Sequence, residues 1–253
     1  MDNNKIFGLR PVLEALKAGK SFEKILIREG GGSDLLYQII DSAKKKNITL
    51  DRVPAERLDR LSKNANHQGI VAFLSSVEYS DLEDVLENIR LAGKTPFLLL
   101  LDKITDVRNF GAIARTAECA GIDAIVVPAK NAAPLNVDAM KTSAGALNYV
   151  PVCKTPNLRT AIYLIKNYDI KIIAATEKSG QNYFDADLSG AVAIILGSEE
   201  SGISANNLEL TDETVKIPLQ GNIDSLNVSA AAAVIAFECV RQRSALVANT
   251  LSS

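Results

Sequence analysis

The sequence predicts a two-part α/β chain: a mainly parallel sheet covered on both faces in the rear, and a small α/β unit in front. Two observations carry this. From Phe97 onward, short apolar runs recur at residues 97–101, 124–127, 170–174, 192–196 and 215–217, with helical stretches between several of them. The runs are continuous rather than alternating, the mark of strands buried on both faces and joined by crossover helices. The length of 253 residues is also long for one domain and comfortable for two.

Taken in order, residues 11–18 read as an amphipathic helix, with Pro11 suited to its first turn. Residues 24–27 follow as a short strand and Gly30-Gly31-Gly32 as a loop. Ser33 or Asp34 then caps a helix running to about Lys46. Residues 48–52 form a strand, 55–62 a helix and 70–74 a third strand. Residues 1–76 are thus one small domain. Residues 79–93 read as a polar helix capped by Ser80 or Asp81 and ended by Gly93, which makes 77–95 a linker. Residues 96–253 form the second domain. Its Ala-rich final helix runs from Asn227 to about Arg241, and residues 244–253 read as a frayed tail.

Composition narrows the function. Hydrophobic residues make up 47% and charged residues 23%, as in ordinary globular proteins. No apolar run approaches the roughly 20 residues that span a bilayer, and residues 1–10 carry no apolar signal region. Cys119, Cys153 and Cys239 are odd in number and widely spaced, which favours neither a disulfide framework nor a metal site. The expectation is a cytoplasmic protein with no membrane association and no metal. Net charge is −2, but residues 1–76 carry +4 and the remainder −6, the pattern of a polyanion-binding front and a rear for small-molecule chemistry.

In a parallel sheet, ligands gather where strands end in their carboxyl-side loops. Three such loops are rich in functional side chains. The first carries Asp102, Asp106, Asn109, Gly111 and Arg115; the second Gly197, Ser198, Glu199 and Gly202; the third Ile217, Pro218, Ser225, Leu226, Asn227 and Ser229. Each residue has a structural explanation: Gly111 for close helix packing, Asn109, Ser225 or Asn227 as helix caps, Arg115 as a solvated helical cation, Gly202 as a turn glycine. No GxGxxG follows any of the strands, so the usual dinucleotide fingerprint is absent.

Together and in this order, the three segments resemble the motifs of the SpoU (TrmH-type) branch of the SPOUT RNA ribose methyltransferases. Asn109, Gly111 and Arg115 match the first motif, Gly197-Ser198-Glu199 with Gly202 the second, and Ile217-Pro218 with residues 225–229 the third. The family usually has Pro after the second Asp of the first motif, where this chain has Val107. The front half, through residues 8–16 and His67-Gln68-Gly69-Ile70, is similar to the substrate-binding domain of two-domain members. Within the family the pattern is most similar to members that methylate a guanosine in bacterial 23S ribosomal RNA.

The resemblance implies a deep trefoil knot in the rear domain and S-adenosyl-L-methionine as cofactor. Gly197, Ile217, Leu219, Leu226 and the strand end at Ala175-Thr176 are the implied cofactor contacts. Arg115 is the implied central catalytic residue, positioned by Asn109 and Glu199, while Ser225 and Asn227 contact the ribose or the cofactor. A guanidinium with a pKa above about 12 is a poor base, so Arg115 is expected to hold the phosphate and steady developing alkoxide charge. Arg10, His67 and Gln68 are the expected RNA contacts, and a homodimer is the expected assembly. The alternatives are the same chemistry on transfer RNA or another ribosomal site, and a non-catalytic RNA-binding or ribosome-assembly factor.

Overall fold

Successive side chains of the front strands point to opposite faces of one sheet, and both faces are covered by helices. The elements are β1 (Lys5–Phe7), α1 (Leu9–Lys17), β2 (Phe22–Arg28), α2 (Asp34–Lys45), β3 (Thr49–Val53), α3 (Ala55–Ser62) and β4 (Ile70–Leu74). The sheet order is β1-β4-β2-β3, with only β2 and β3 parallel. α1 and α2 bury Ile25, Ile27, Ile70 and Ala72 on one face, and Leu58 of α3 packs with Leu26, Val53 and Val71 on the other. Ser33 caps α2 by accepting from the Leu36 N–H at 3.3 Å. β1 is an element the sequence reading left out.

The computed structural model describes residues 5–30, 32–75 and 77–251, with side chains through residue 246. Gly31 of the glycine loop and the last two residues of the expected tail lie outside the described residues. The chain divides into two units, residues 1–78 with 134–137, and residues 79–133 with 138–253.

The second unit contains β5 (Tyr79–Ser80), α4 (Leu82–Leu91), β6 (Phe97–Asp102), α5 (Val107–Cys119) and β7 (Ala124–Pro128). After α6 (Val137–Thr142) come β8 (Val152–Thr155), α7 (Leu158–Lys166), β9 (Lys171–Ala175) and β10 (Val192–Gly197). α8 (Ala205–Leu208), β11 (Glu213–Val215) and α9 (Val228–Leu251) complete it. The strand order is β11-β9-β10-β6-β7-β8-β5, and every pairing is parallel. All six residues of β6 are buried, as a strand covered on both faces requires. Leu98, Leu100, Ala193 and Ile195 pack under α4 and α7. Alternation turns Leu99, Leu101, Ile194 and Leu196 to the other face, where α5 and α9 bury Phe110, Ile113, Ile235 and Ala236.

Three local expectations are corrected. Tyr79-Ser80 is not the start of a helix but a two-residue strand beside β8, which the sequence reading also left out. The helix read as a linker is a packed element of the second unit, since Leu82, Leu86 and Ile89 are core residues. The final helix does not fray after Arg241: it continues to Leu251. Arg243 explains part of that continuation. It donates to the carbonyls of Thr95, Pro96 and Gly190 and lies 4.8 Å from the Phe97 ring centroid. The cation thus ties α9 to the entry ends of β6 and β10.

At the opposite ends of those strands, Asp102 is 4% exposed and accepts from Ser204 N–H at 2.7 Å and from Asn207 Nδ2 at 2.9 Å. This carboxylate fastens the end of β6 to the segment that follows β10. Asp102→Ala leaves two donors without an acceptor and is expected to lower unfolding free energy by about 2–3 kcal/mol. Chemical denaturation checks this, and a loss below about 0.5 kcal/mol would show that water replaces the carboxylate freely.

Candidate active site

The three motif loops meet on one side of the sheet because β10 lies directly beside β6, with Gly197 in register with Asp102. After β6 the chain turns through Lys103, and Asp106 caps α5 by accepting from Arg108 N–H at 2.9 Å and Asn109 N–H at 2.8 Å. Asn109 is therefore a first-turn residue rather than the cap. Val107 occupies the first helical position, the one place in a helix where Pro also fits well. Gly111 serves close packing: a Cβ there would lie 2.5 Å from Thr142 Cβ.

At the end of β10 the backbone doubles back so tightly that a Cβ on Gly197 would lie 2.1 Å from the Gly202 carbonyl carbon. Only glycine fits. Gly202 N–H donates to the Ser198 carbonyl at 2.8 Å, and Gly202 itself adopts φ +61°. This hairpin-like loop presents Glu199.

Glu199 is where the three segments join. Its Oε1 accepts from Asn109 Nδ2 at 3.1 Å, Asn227 Nδ2 at 2.6 Å and Val228 N–H at 3.3 Å. Asn227 Nδ2 also donates to Asn109 Oδ1 at 2.9 Å, closing a ring of three side chains. Asn227 Oδ1 in turn accepts from Ser229 N–H at 3.0 Å and Ser229 Oγ at 2.5 Å. The cap of α9 and the polar network are thus the same residue. The first N–H of α9, that of Val228, is thereby directed at the carboxylate.

Two cavities flank this ring. The first, of about 370 Å³, is lined by all the implied cofactor contacts: Ala175, Thr176, Gly197, Ile217, Leu219 and Leu226, and also by Ser225. The second, of about 340 Å³, is lined by Lys103, Thr105, Asp106, Asn109 and Asn131. Ser198, Glu199, Glu200, Ser201 and Val228 border both. Sequence reasoning missed Lys103 and Asn131. Lys103 sits one residue past a strand-ending Asp, a weak signal, and nothing in one sequence marks Asn131.

Arg115 is not brought into this cluster. It is exposed on α5 and lines neither cavity. Six residues along a helix is a rotation of about 240° from Asn109, so the two point to different sides. In the front unit, His67 and Gln68 are taken up structurally. His67 Nδ1 accepts from Gly69 N–H at 3.0 Å, so Nε2 carries the hydrogen that meets Asp59 Oδ1 at 2.9 Å. Gln68 Oε1 accepts from Leu9 N–H at 3.0 Å and serves as the missing side-chain cap of α1 beside Gly8. Arg10 is exposed.

The cysteines take no part. Burial pushes the thiols of Cys153 and Cys239 up to about 12, which leaves them un-ionised. Among the described residues, no helix is long and apolar enough to cross a membrane. If Glu199 and Asn227 hold one another, Glu199→Ala and Asn227→Ala should be non-additive by about 1 kcal/mol in a double-mutant denaturation cycle. Additive losses would show that the ring does not persist in solution.

Known proteins share the fold, and a family model spans all three loops. Residues 96–237 match the SpoU rRNA methylase family, and residues 5–80 match the RNA 2′-O ribose methyltransferase substrate-binding domain. YacO of Bacillus subtilis, assigned to the TrmH family of tRNA/rRNA methyltransferases, is 32% identical over 238 residues, 94% of this chain and 95% of that one. A crystal structure of an RNA 2′-O ribose methyltransferase superposes with a TM-score of 0.52 at 28% identity, covering 94% of this chain and 88% of the other. The SpoU methyltransferase AviRb from Streptomyces viridochromogenes, solved with the cofactor AdoMet, shares the fold with a TM-score of 0.60 at 23% identity, covering 95% and 90%. The chain belongs to the SpoU (TrmH-type) family of RNA 2′-O-ribose methyltransferases.

Proposed function

We propose that the chain transfers a methyl group from S-adenosyl-L-methionine to a ribose 2′-hydroxyl, with a guanosine of 23S ribosomal RNA as its target. The observation that carries the chemistry is the ring of Asn109, Glu199 and Asn227 standing between two cavities. The matched family's description as rRNA methylases supports a ribosomal target, while the tRNA/rRNA naming of the relatives keeps transfer RNA as the second reading.

The first cavity suits the donor. Its volume lies within the usual range for small-molecule sites. Leu196, Ile217, Leu219 and Ile235 offer apolar walls for a purine, and Glu177 and Glu199 offer carboxylates for an ammonium and a sulfonium. When bound, the cofactor supplies an electrophilic methyl. The chain aligns the acceptor oxygen for in-line attack and excludes other geometries. Glu199 fixes the amides of Asn109 and Asn227, and Ser225, which has no hydrogen bond among the described residues, lines the first cavity where it could bind a hydroxyl. The loops at Gly197 and at residues 217–227 are the proposed knotted loops. In support, β10 inserts between β9 and β6, strands formed earlier in the chain.

Residues 1–76 are the proposed RNA-binding domain, on the strength of their +4 charge and the matched substrate-binding family. A homodimer is the proposed assembly. Phe237 is 48% exposed on α9, in helical line with exposed Ala230 and Arg241, and Arg115 faces away from both cavities of its own chain. A second copy would receive that guanidinium in its own site.

Mapping 2′-O-methyl marks in RNA from a deletion strain tests the substrate: loss of one 23S guanosine mark is expected, and loss confined to transfer RNA would select the second reading. Calorimetric titration with S-adenosyl-L-methionine, without metal, tests the donor, and absence of binding would refute it. Arg115→Ala should leave that affinity unchanged and cut methyl transfer at least about 100-fold. Mixed dimers of Arg115→Ala and Glu199→Ala chains should regain activity, because both defects fall in one of the two sites. Mixed dimers as inactive as either parent would place Arg115 in its own chain's site.

A further inference from the structure

The second cavity is bordered by left-handed backbone, which is strained at Lys103. Lys103 adopts φ +60° and Asn131 φ +59°, left-handed conformations that L side chains other than Asn and Asp rarely accept. Ala133 N–H donates to the Ile104 carbonyl at 2.8 Å, so the loop bearing Asn131 is fastened to the turn bearing Lys103. Strain of this kind persists where surrounding structure over-determines it, and it clusters at ligand sites. Lys103 is also half-buried, yet among the described residues its ammonium makes no hydrogen bond or ion pair.

The carboxylates on this cavity are partly engaged. Asp106 Oδ1 accepts from two N–H groups of α5, and Glu199 Oε1 from three donors. Glu200 is exposed. A wall holding one unpaired ammonium, an amide and several acceptor oxygens matches a ligand with both an anionic group and hydroxyl or amine donors. A ribonucleotide is such a ligand. The cavity also shares Ser198, Glu199 and Val228 with the first one, so a ribose held there would stand at the common wall.

We propose that the second cavity seats the acceptor nucleotide, with Lys103 holding its phosphate and Asn131 hydrogen-bonding its base. The inference rests on reading the first cavity as the donor site. It assigns the left-handed backbone at Lys103 a purpose: to aim a cation into the cavity from a turn that would otherwise carry glycine.

The test titrates the full-length protein with guanosine 3′,5′-bisphosphate, with inorganic phosphate as comparison, and follows backbone amide chemical shifts. The bisphosphate should move the amides of Lys103, Thr105, Asn131 and Ser201, and phosphate alone should not. Lys103→Gln should weaken bisphosphate binding about tenfold, raise KM for RNA similarly and leave kcat within about threefold. Lys103→Gly should weaken binding as much while unfolding at the same or a higher temperature, because glycine accepts φ +60° without strain. Shifts elsewhere or none, equal shifts with phosphate, wild-type affinity in Lys103→Gln, or a lower unfolding temperature in Lys103→Gly would each overturn the proposal. If the bisphosphate binds at these amides but S-adenosyl-L-methionine does not bind at all, the donor reading falls and the nucleotide site stands.

Discussion

The site depends on one constraint of topology, the placement of β10 between β6 and β9. Parallel neighbours end on the same edge of a sheet, so the loops after β6 and β10 must emerge side by side. Register sharpens this, because Gly197 pairs with Asp102 and the two loops leave at the same level. Asn109 and Glu199, 90 residues apart in sequence, then meet within a hydrogen bond, and Asn227 joins them from the start of α9. The return of the backbone past Gly197 makes that residue indispensable. Any side chain there would displace the loop that carries Glu199.

Two carboxylates near the ends of adjacent strands have divided their labour by environment. Asp102 is buried and satisfied by Ser204 and Asn207, and its effect is to hold two segments together. Glu199 is exposed and borders both cavities. At the far end of the same strands, Arg243 performs the matching structural task, and burial lowers its guanidinium pKa. A sheet fastened at both ends lets the loops between be shaped for ligands rather than for stability.

Much of this was legible in the sequence, for reasons that differ by element. β4 and α3 stand at the residues expected, because the β4 run is apolar and Ala55 follows a helix-starting Pro54. β8 was not legible: four residues following Pro151, with Lys154 among them, carry no run long enough to stand out. β5 is shorter still and exists only through its pairing with β8. The end of α9 misled because Arg241 and Arg243 look like last-turn cations. They are used instead in an ion pair with Glu238 and in the clamp on β6 and β10. The three motifs were visible as motifs, but their convergence on one Glu199 oxygen was not, since spacing along a chain does not reveal contacts across a sheet.

The polar residues singled out by the sequence differ in how far the fold engages them. His67, Gln68 and Asp102 each look functional in sequence, and each is engaged within the fold: both ring nitrogens of His67, Oε1 of Gln68 and Oδ2 of Asp102. Arg115, Ser225 and Lys103 have no hydrogen bond or ion pair among the described residues, and two of the three line a cavity. Of the three only Lys103 is half-buried, and a half-buried polar group without a partner costs stability. Glu199 stands between the classes: Oε1 is saturated, which fixes the carboxylate in place. That fixed geometry is what lets a flexible side chain order two asparagines and border two cavities at once.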